Sequence, residues 1–209
     1  MPSRTLVFTL GKGLRQQASN RYRSATYKFP NGTTSAPTAF FGLSLLHWMI
    51  HQKKARPDLV VVLGTRSSIW DALFEAYDDA VDESALHLAD ELSNLVITGS
   101  VANGHLEELE RWLMTREGIP FRLRVVPEGL DHEGQMETLR TLAEVVPPGT
   151  ELHMCVTHGL RHMPMLQMLS VFHLAQTASV ALGGLYYGSL DLGSNGLECP
   201  VIELTHLAW

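Results

Sequence analysis

Across its first 57 residues the chain has no aspartate or glutamate, although the whole 209 residues hold 22 acids. That stretch carries nine Lys or Arg, so it is +9 while the remainder is −15, and the overall charge of −6 excludes a general DNA- or RNA-coating protein. Such a split predicts a local anionic partner for the N-terminal part. Cysteine is equally scarce. Cys155 and Cys199 stand far apart in strand-like contexts, which excludes a disulfide scaffold and a CxxC site, and a reduced, cytoplasmic setting is expected. No apolar run approaches the roughly 18 residues of a membrane span, and the N-terminus lacks a long apolar h-region. Neither membrane insertion nor secretion is expected.

Motifs are absent too. The chain has no GxGxxG, no GxxxxGK[ST], no HExxH and no GxSxG. A standard nicotinamide or ATP site, a zinc-peptidase helix and a nucleophile elbow are thereby disfavoured, and no cofactor or metal is expected.

What is present is an alternation. With 45% hydrophobic residues the chain can bury a full core and reads as one domain over residues 1–209. Short apolar runs at 5–10, 59–63, 95–98, 121–126, 152–156, 180–187 and 200–204 predict strands. Between them, helical spacing appears at 38–51, 104–116, 133–146 and 165–178, with a further helix opening at Trp70-Asp71. Residues 14–35 read as a long loop or small hairpin over the sheet's edge, with a turn at Pro30-Asn31-Gly32. The fold class is therefore α/β, a doubly wound, mainly parallel sheet with helices on both faces. Ligands of such sheets bind beyond the carboxyl ends of the strands.

Three junctions fall there. They are Gly11-Lys12-Gly13, the run Gly64 to Ser68 with Thr65, Arg66, Ser67 and Ser68, and the run Thr157 to Pro164. Each combines glycine, which lets a backbone approach closely, with donor-rich side chains suited to phosphates and ribose hydroxyls. The third is the most informative. It follows a strand and opens a helix, where unpaired N–H groups and the helix dipole favour an anion; Arg161 adds a planar fork of donors and Pro164 suits a first helical turn. His158 and His162, four apart, raise a metal site that lacks an assignable third ligand; His158 is read instead as orienting a phosphate or capping a helix. Trp70 and Trp112 are read as core anchors rather than base-stacking platforms.

These residues resemble a known family. Leu10-Gly11, Tyr22 to Tyr27 before Thr38 to Leu43, Val60 to Thr65 with Ser67 to Asp71, Pro127-Glu128-Gly129, Thr157 to Pro164, Tyr187-Gly188 and Pro200 to Thr205 run in the order seen in CRISPR-associated Rossmann-fold (CARF) domains. The Thr-His-Gly-x-Arg-x-x-Pro element is the most specific of them. The resemblance implies a Rossmann-like fold and a cytoplasmic homodimer that binds a cyclic oligoadenylate, the messenger of type III CRISPR antiviral defence, at its two-fold interface. Cyclic tetra-adenylate is the first expectation and cyclic hexa-adenylate the alternative. Carried over by position, the ligand-binding residues are Gly11, Lys12, Gly13, Thr65, Arg66, Ser67, Ser68, Thr157, His158, Gly159 and Arg161, with the basic N-terminal part lining the cleft. An effector, fused C-terminally or separate, would be controlled allosterically. No effector domain is expected within these 209 residues, and no Arg-x4-6-His pair of the family's ribonuclease effectors is present. Two other readings stay open: a stand-alone, metal-independent ring nuclease, and an α/β enzyme acting on a small phosphorylated metabolite with His158 as acid or base.

Overall fold

A computed structural model describes residues 3–13, 22–75, 77, 83–160, 162–189 and 198–207. Seven strands form one sheet: β1 (Arg4–Leu10), β2 (Tyr27–Lys28), β3 (Leu59–Gly64), β4 (Phe121–Val125), β5 (Glu151–Cys155), β6 (Ala181–Gly188) and β7 (Cys199–Glu203). Six helices accompany them: α1 (Phe41–His51), α2 (Ala72–Glu75), α3 (Glu83–Thr98), α4 (Asn103–Glu117), α5 (His132–Val145) and α6 (Met163–Thr177).

The central strands are buried at nearly every position because both faces are covered. Leu6, Phe8, Val60 and Val62 alternate with Val7, Val61 and Leu63, and the two sets enter different cores. The first core takes its helical side chains from α1 to α4, and the second from α5 and α6. Trp70 is fully buried in the first and Trp112 packs against its edge, so both tryptophans are structural. Both cysteines are buried and outside any disulfide, and burial pushes Cys155 up to about 11, which leaves it inert at neutral pH.

The strand order is β2-β7-β6-β5-β1-β3-β4; β7 runs antiparallel to β6 and the other pairings are parallel. After β1 the chain visits the far edge as β2, adds β3 and β4 in turn on one side of β1, then returns across the sheet to place β5 on the other side of β1. The reversal leaves a topological switch point between β1 and β5, the place where doubly wound sheets bind ligands. The outer edge of β4 is blunted by α4: the Leu123 N–H donates to Glu110 Oε1 at 2.6 Å and the Val125 N–H to Asn103 Oδ1 at 2.7 Å.

Local chemistry accounts for the helix ends near this switch point. Asp131 caps α5 by accepting the Gly134 N–H at 2.8 Å, and Pro164 lies in the first turn of α6. At the far end of α4, Gly118 adopts a left-handed φ of 62°.

One expectation is corrected. Residues 95–98 are the last turn of α3, not a strand: Leu92 and Val96 are buried one turn apart while Ile97 is 71% exposed, so helical period overrides the β preference of Val and Ile. The seventh strand is instead β2, within the expected hairpin at the sheet's edge, where Lys28 and Thr34, and Ala25 and Thr38, bridge antiparallel around the turn at 30–32. It pairs in parallel with β7 at the sheet edge through Tyr27 and Cys199. Among the described residues no helix is long and apolar enough to cross a membrane.

Candidate functional site

At the switch point the loops after β1 and β5 touch backbone to backbone. A Cβ on Gly11 would stand 2.9 Å from the Gly159 nitrogen, closer than real contacts allow. Gly159 itself has φ of +114°, a left-handed value that favours glycine. Thr9 fastens the pair by donating its hydroxyl to the His158 carbonyl. Gly13 is required for a different contact: its Cβ would lie 2.7 Å from the Tyr22 ring and 2.8 Å from Ile69. Lys12, between two tightly packed glycines, is left exposed.

The loop after β3 is braced onto the same strand end. Ser68 Oγ accepts the Thr65 N–H at 2.8 Å and donates to the Leu10 carbonyl at 2.9 Å, while the Ile69 N–H donates to the Gly11 carbonyl at 3.0 Å. Trp70 Nε1 donates to the Thr65 carbonyl at 2.9 Å. Ser68 is thus a buried tie with its bonds committed, and the hydroxyl of Thr65 lies 3.2 Å from it.

Thr157 and His158 are committed as well. Thr157 Oγ1 accepts the Gly188 N–H at 2.8 Å, joining the β5 loop to the end of β6. His158 Nε2 accepts the Phe41 N–H at 3.2 Å and its ring lies 5.3 Å from that of Phe40. This histidine does cap a helix, but the helix is α1. Enclosure of its ring among neighbours pushes it down to about 4, so it is a neutral acceptor at pH 7. His162 turns to another partner, donating from Nε2 to the Glu128 carbonyl at 2.7 Å. The two histidines therefore do not converge, and among the described residues no three His, Cys, Asp or Glu side chains form a metal site.

His158 carries a stability prediction. Between pH 6.5 and 4 the unfolded chain binds a proton that the folded chain refuses, so stability is full above 6.5 and is lost as pH falls toward 4. Chemical unfolding at pH 7 and 4.5 should show wild type losing about 2 to 3 kcal/mol more than His158→Gln, whose amide oxygen can still accept the Phe41 N–H. Parallel pH profiles would contradict this assignment.

Gly11, Lys12, Thr65, Ser68 and Gly159 thus line one crevice, with Thr9 and Met163, two residues the sequence reading did not single out. Its volume is about 10 Å³, room for about one water. Anything larger than a water has to lie across its mouth. Arg66 and Ser67 line an adjoining recess of about 410 Å³ together with Glu128 and Glu137. Arg161 lies outside the described residues.

Compared with known proteins, the chain is 26% identical over 200 residues to "CRISPR-associated protein MJ1674" of Methanocaldococcus jannaschii. The chain is similar to a CRISPR-associated protein. The match covers 88% of this chain and 31% of that relative, so the chain spans about a third of the length of the curated protein it matches. No protein-family model matches.

Among its described residues, several cations of the basic N-terminal part pair away from the crevice. Arg4 pairs with Glu151 at 3.1 Å, Lys28 with Glu198 at 3.5 Å, Lys53 with Glu203 at 3.3 Å, and Arg56 donates to the carbonyls of Glu117 and Gly118. Lys12 is the N-terminal cation that the described residues place at the crevice. It stands 2.8 Å from the Glu128 carboxylate, a partner 116 residues away that no local pattern announces.

Proposed function

We propose that this chain is a sensor domain for a cyclic oligoadenylate in type III CRISPR defence, with cyclic tetra-adenylate the favoured ring and cyclic hexa-adenylate the alternative. The observation that carries this reading is the backbone contact of Gly11 with Gly159 at the switch point, which brings Lys12 and the β3 loop to one rim. Short polar loops with exposed backbone suit a string of phosphates better than a buried metabolite. Because the crevice is too narrow to enclose a nucleotide, the ligand spreads over it, and a second copy of the chain completes the site. A two-fold arrangement then matches protein symmetry to ring symmetry.

The surface of α6 supports such pairing. Met165, Leu169 and Phe172 recur at spacings of four and three on the helix that starts at the site, and they are 69%, 65% and 49% exposed. Contact between two such stripes would bring both crevices near one axis. Ligand closing over the loops would shift α6 and pass the change to an effector.

The engaged, neutral His158 weakens the reading of a metabolite enzyme that uses it as acid or base at neutral pH. Calorimetry with cyclic tetra-adenylate, cyclic hexa-adenylate and a linear tetra-adenylate should show binding of a ring in preference to the linear chain. Recovery of the bound ring intact separates sensing from cleavage, and failure of both rings to bind would overturn the proposal.

A further inference from the structure

Glu128 presents a contradiction for an anion site, since its carboxylate sits 2.8 Å from the cation on the rim. Both side chains are well exposed, so the pair contributes little to the fold and needs another reason to stand there. The backbone beneath it is fixed. The Glu128 carbonyl receives the His162 Nε2–H at 2.7 Å, and Gly129, with φ of +67°, lies against the His162 ring and Met163 at the start of α6. A held backbone with an exposed side chain means that releasing Lys12 takes only a rotamer change of the glutamate. The same carboxylate also borders the recess that contains Arg66.

We infer that Glu128 is a resident counter-anion, occupying Lys12 in the unliganded protein and setting the affinity of the site by competing with an incoming phosphate. This inference rests on the proposed anion-binding role of the crevice and adds the residue that tunes it. An arriving phosphate must displace the carboxylate and then tolerate its negative charge nearby, so weak or singly charged anions are rejected. Ligands offering several phosphates at once hold the advantage.

The test titrates wild type, Glu128→Gln and Glu128→Asp with cyclic tetra-adenylate and, separately, with inorganic tripolyphosphate, and records the thermal unfolding of each free protein. Glu128→Gln should bind both probes about fivefold more tightly, the upper range for an exposed charge pair, and the gain should shrink at high salt. Glu128→Asp, which keeps the charge, should stay near wild type. Melting temperatures should agree within about 4 °C. A glutamine variant that binds no tighter, or weaker with a large fall in melting temperature, would overturn the inference and show Glu128 to be structural. If tripolyphosphate follows the expected order while no ring binds, the counter-anion stands and the ring-sensor reading falls. If neither probe binds any variant, both fall.

Discussion

Under the proposed two-fold arrangement, replacing Leu169 by aspartate is expected to turn the dimer into a monomer and to abolish ring binding with it. Leu169 is 65% exposed at the centre of the α6 stripe, so the folded chain loses little from the change. At an interface between two copies, by contrast, an unpaired carboxylate would be forced into an apolar contact on each side. That costs at least about 3 kcal/mol, more than a hundredfold in the dimer dissociation constant. Sedimentation equilibrium of wild type and variant, followed by calorimetry on both, reads the two effects separately. A variant that stays dimeric would place the interface elsewhere, and a monomeric variant that binds the ring undiminished would show that one copy suffices.

The second large effect concerns the glycine contact itself. Gly11→Ala is expected to destabilise the fold by about 1 to 3 kcal/mol, because its Cβ meets the Gly159 backbone nitrogen at 2.9 Å and backbone cannot rotate away. Gly159→Ala should cost a similar amount for another reason, its φ of +114°, with Thr9 Oγ1 only 3.3 Å from the new carbon. Since the two share one contact, the double variant should lose less than the sum. Urea unfolding of the four proteins gives this cycle directly. Ring affinity should fall in each variant because the loops are held apart, and retention of full affinity by both would remove these loops from the site.

Much of the sheet was legible in advance because its central strands are buried on both faces. The continuous apolar run at 59–63, and the run at 152–156 broken only by His153, admit little else when bounded by turns and helices. The run at 95–98 misled for the same reason: four apolar or β-branched residues look like a short strand unless the helical period is followed back to Ala85 and Leu92. The two-residue strand β2 has no signature of its own, since its pairing with β7 joins positions 172 residues apart.

At the site, glycine positions were the most readable part, because a close backbone approach leaves its mark as a residue type. The roles of the polar residues were harder to read. Ser68, Thr157 and His158 look like ligand contacts in one dimension, and in the fold they also tie Leu10, Gly188 and Phe41. Their partners lie 58, 31 and 117 residues away, beyond any local pattern. Thr9 and Glu128 passed unnoticed for the same reason, although Pro127-Glu128-Gly129 was part of the family resemblance. A hydroxyl or carboxylate near a glycine turn announces a hydrogen bond but not its recipient.

Native mass spectrometry of the protein mixed with cyclic tetra-adenylate, with cyclic hexa-adenylate in a parallel sample, tests the two-fold account most directly. The predicted species is two chains with one intact ring, appearing at sub-stoichiometric ligand and persisting when ligand is in excess. One ring per single chain, or protein that carries neither ring, would contradict it.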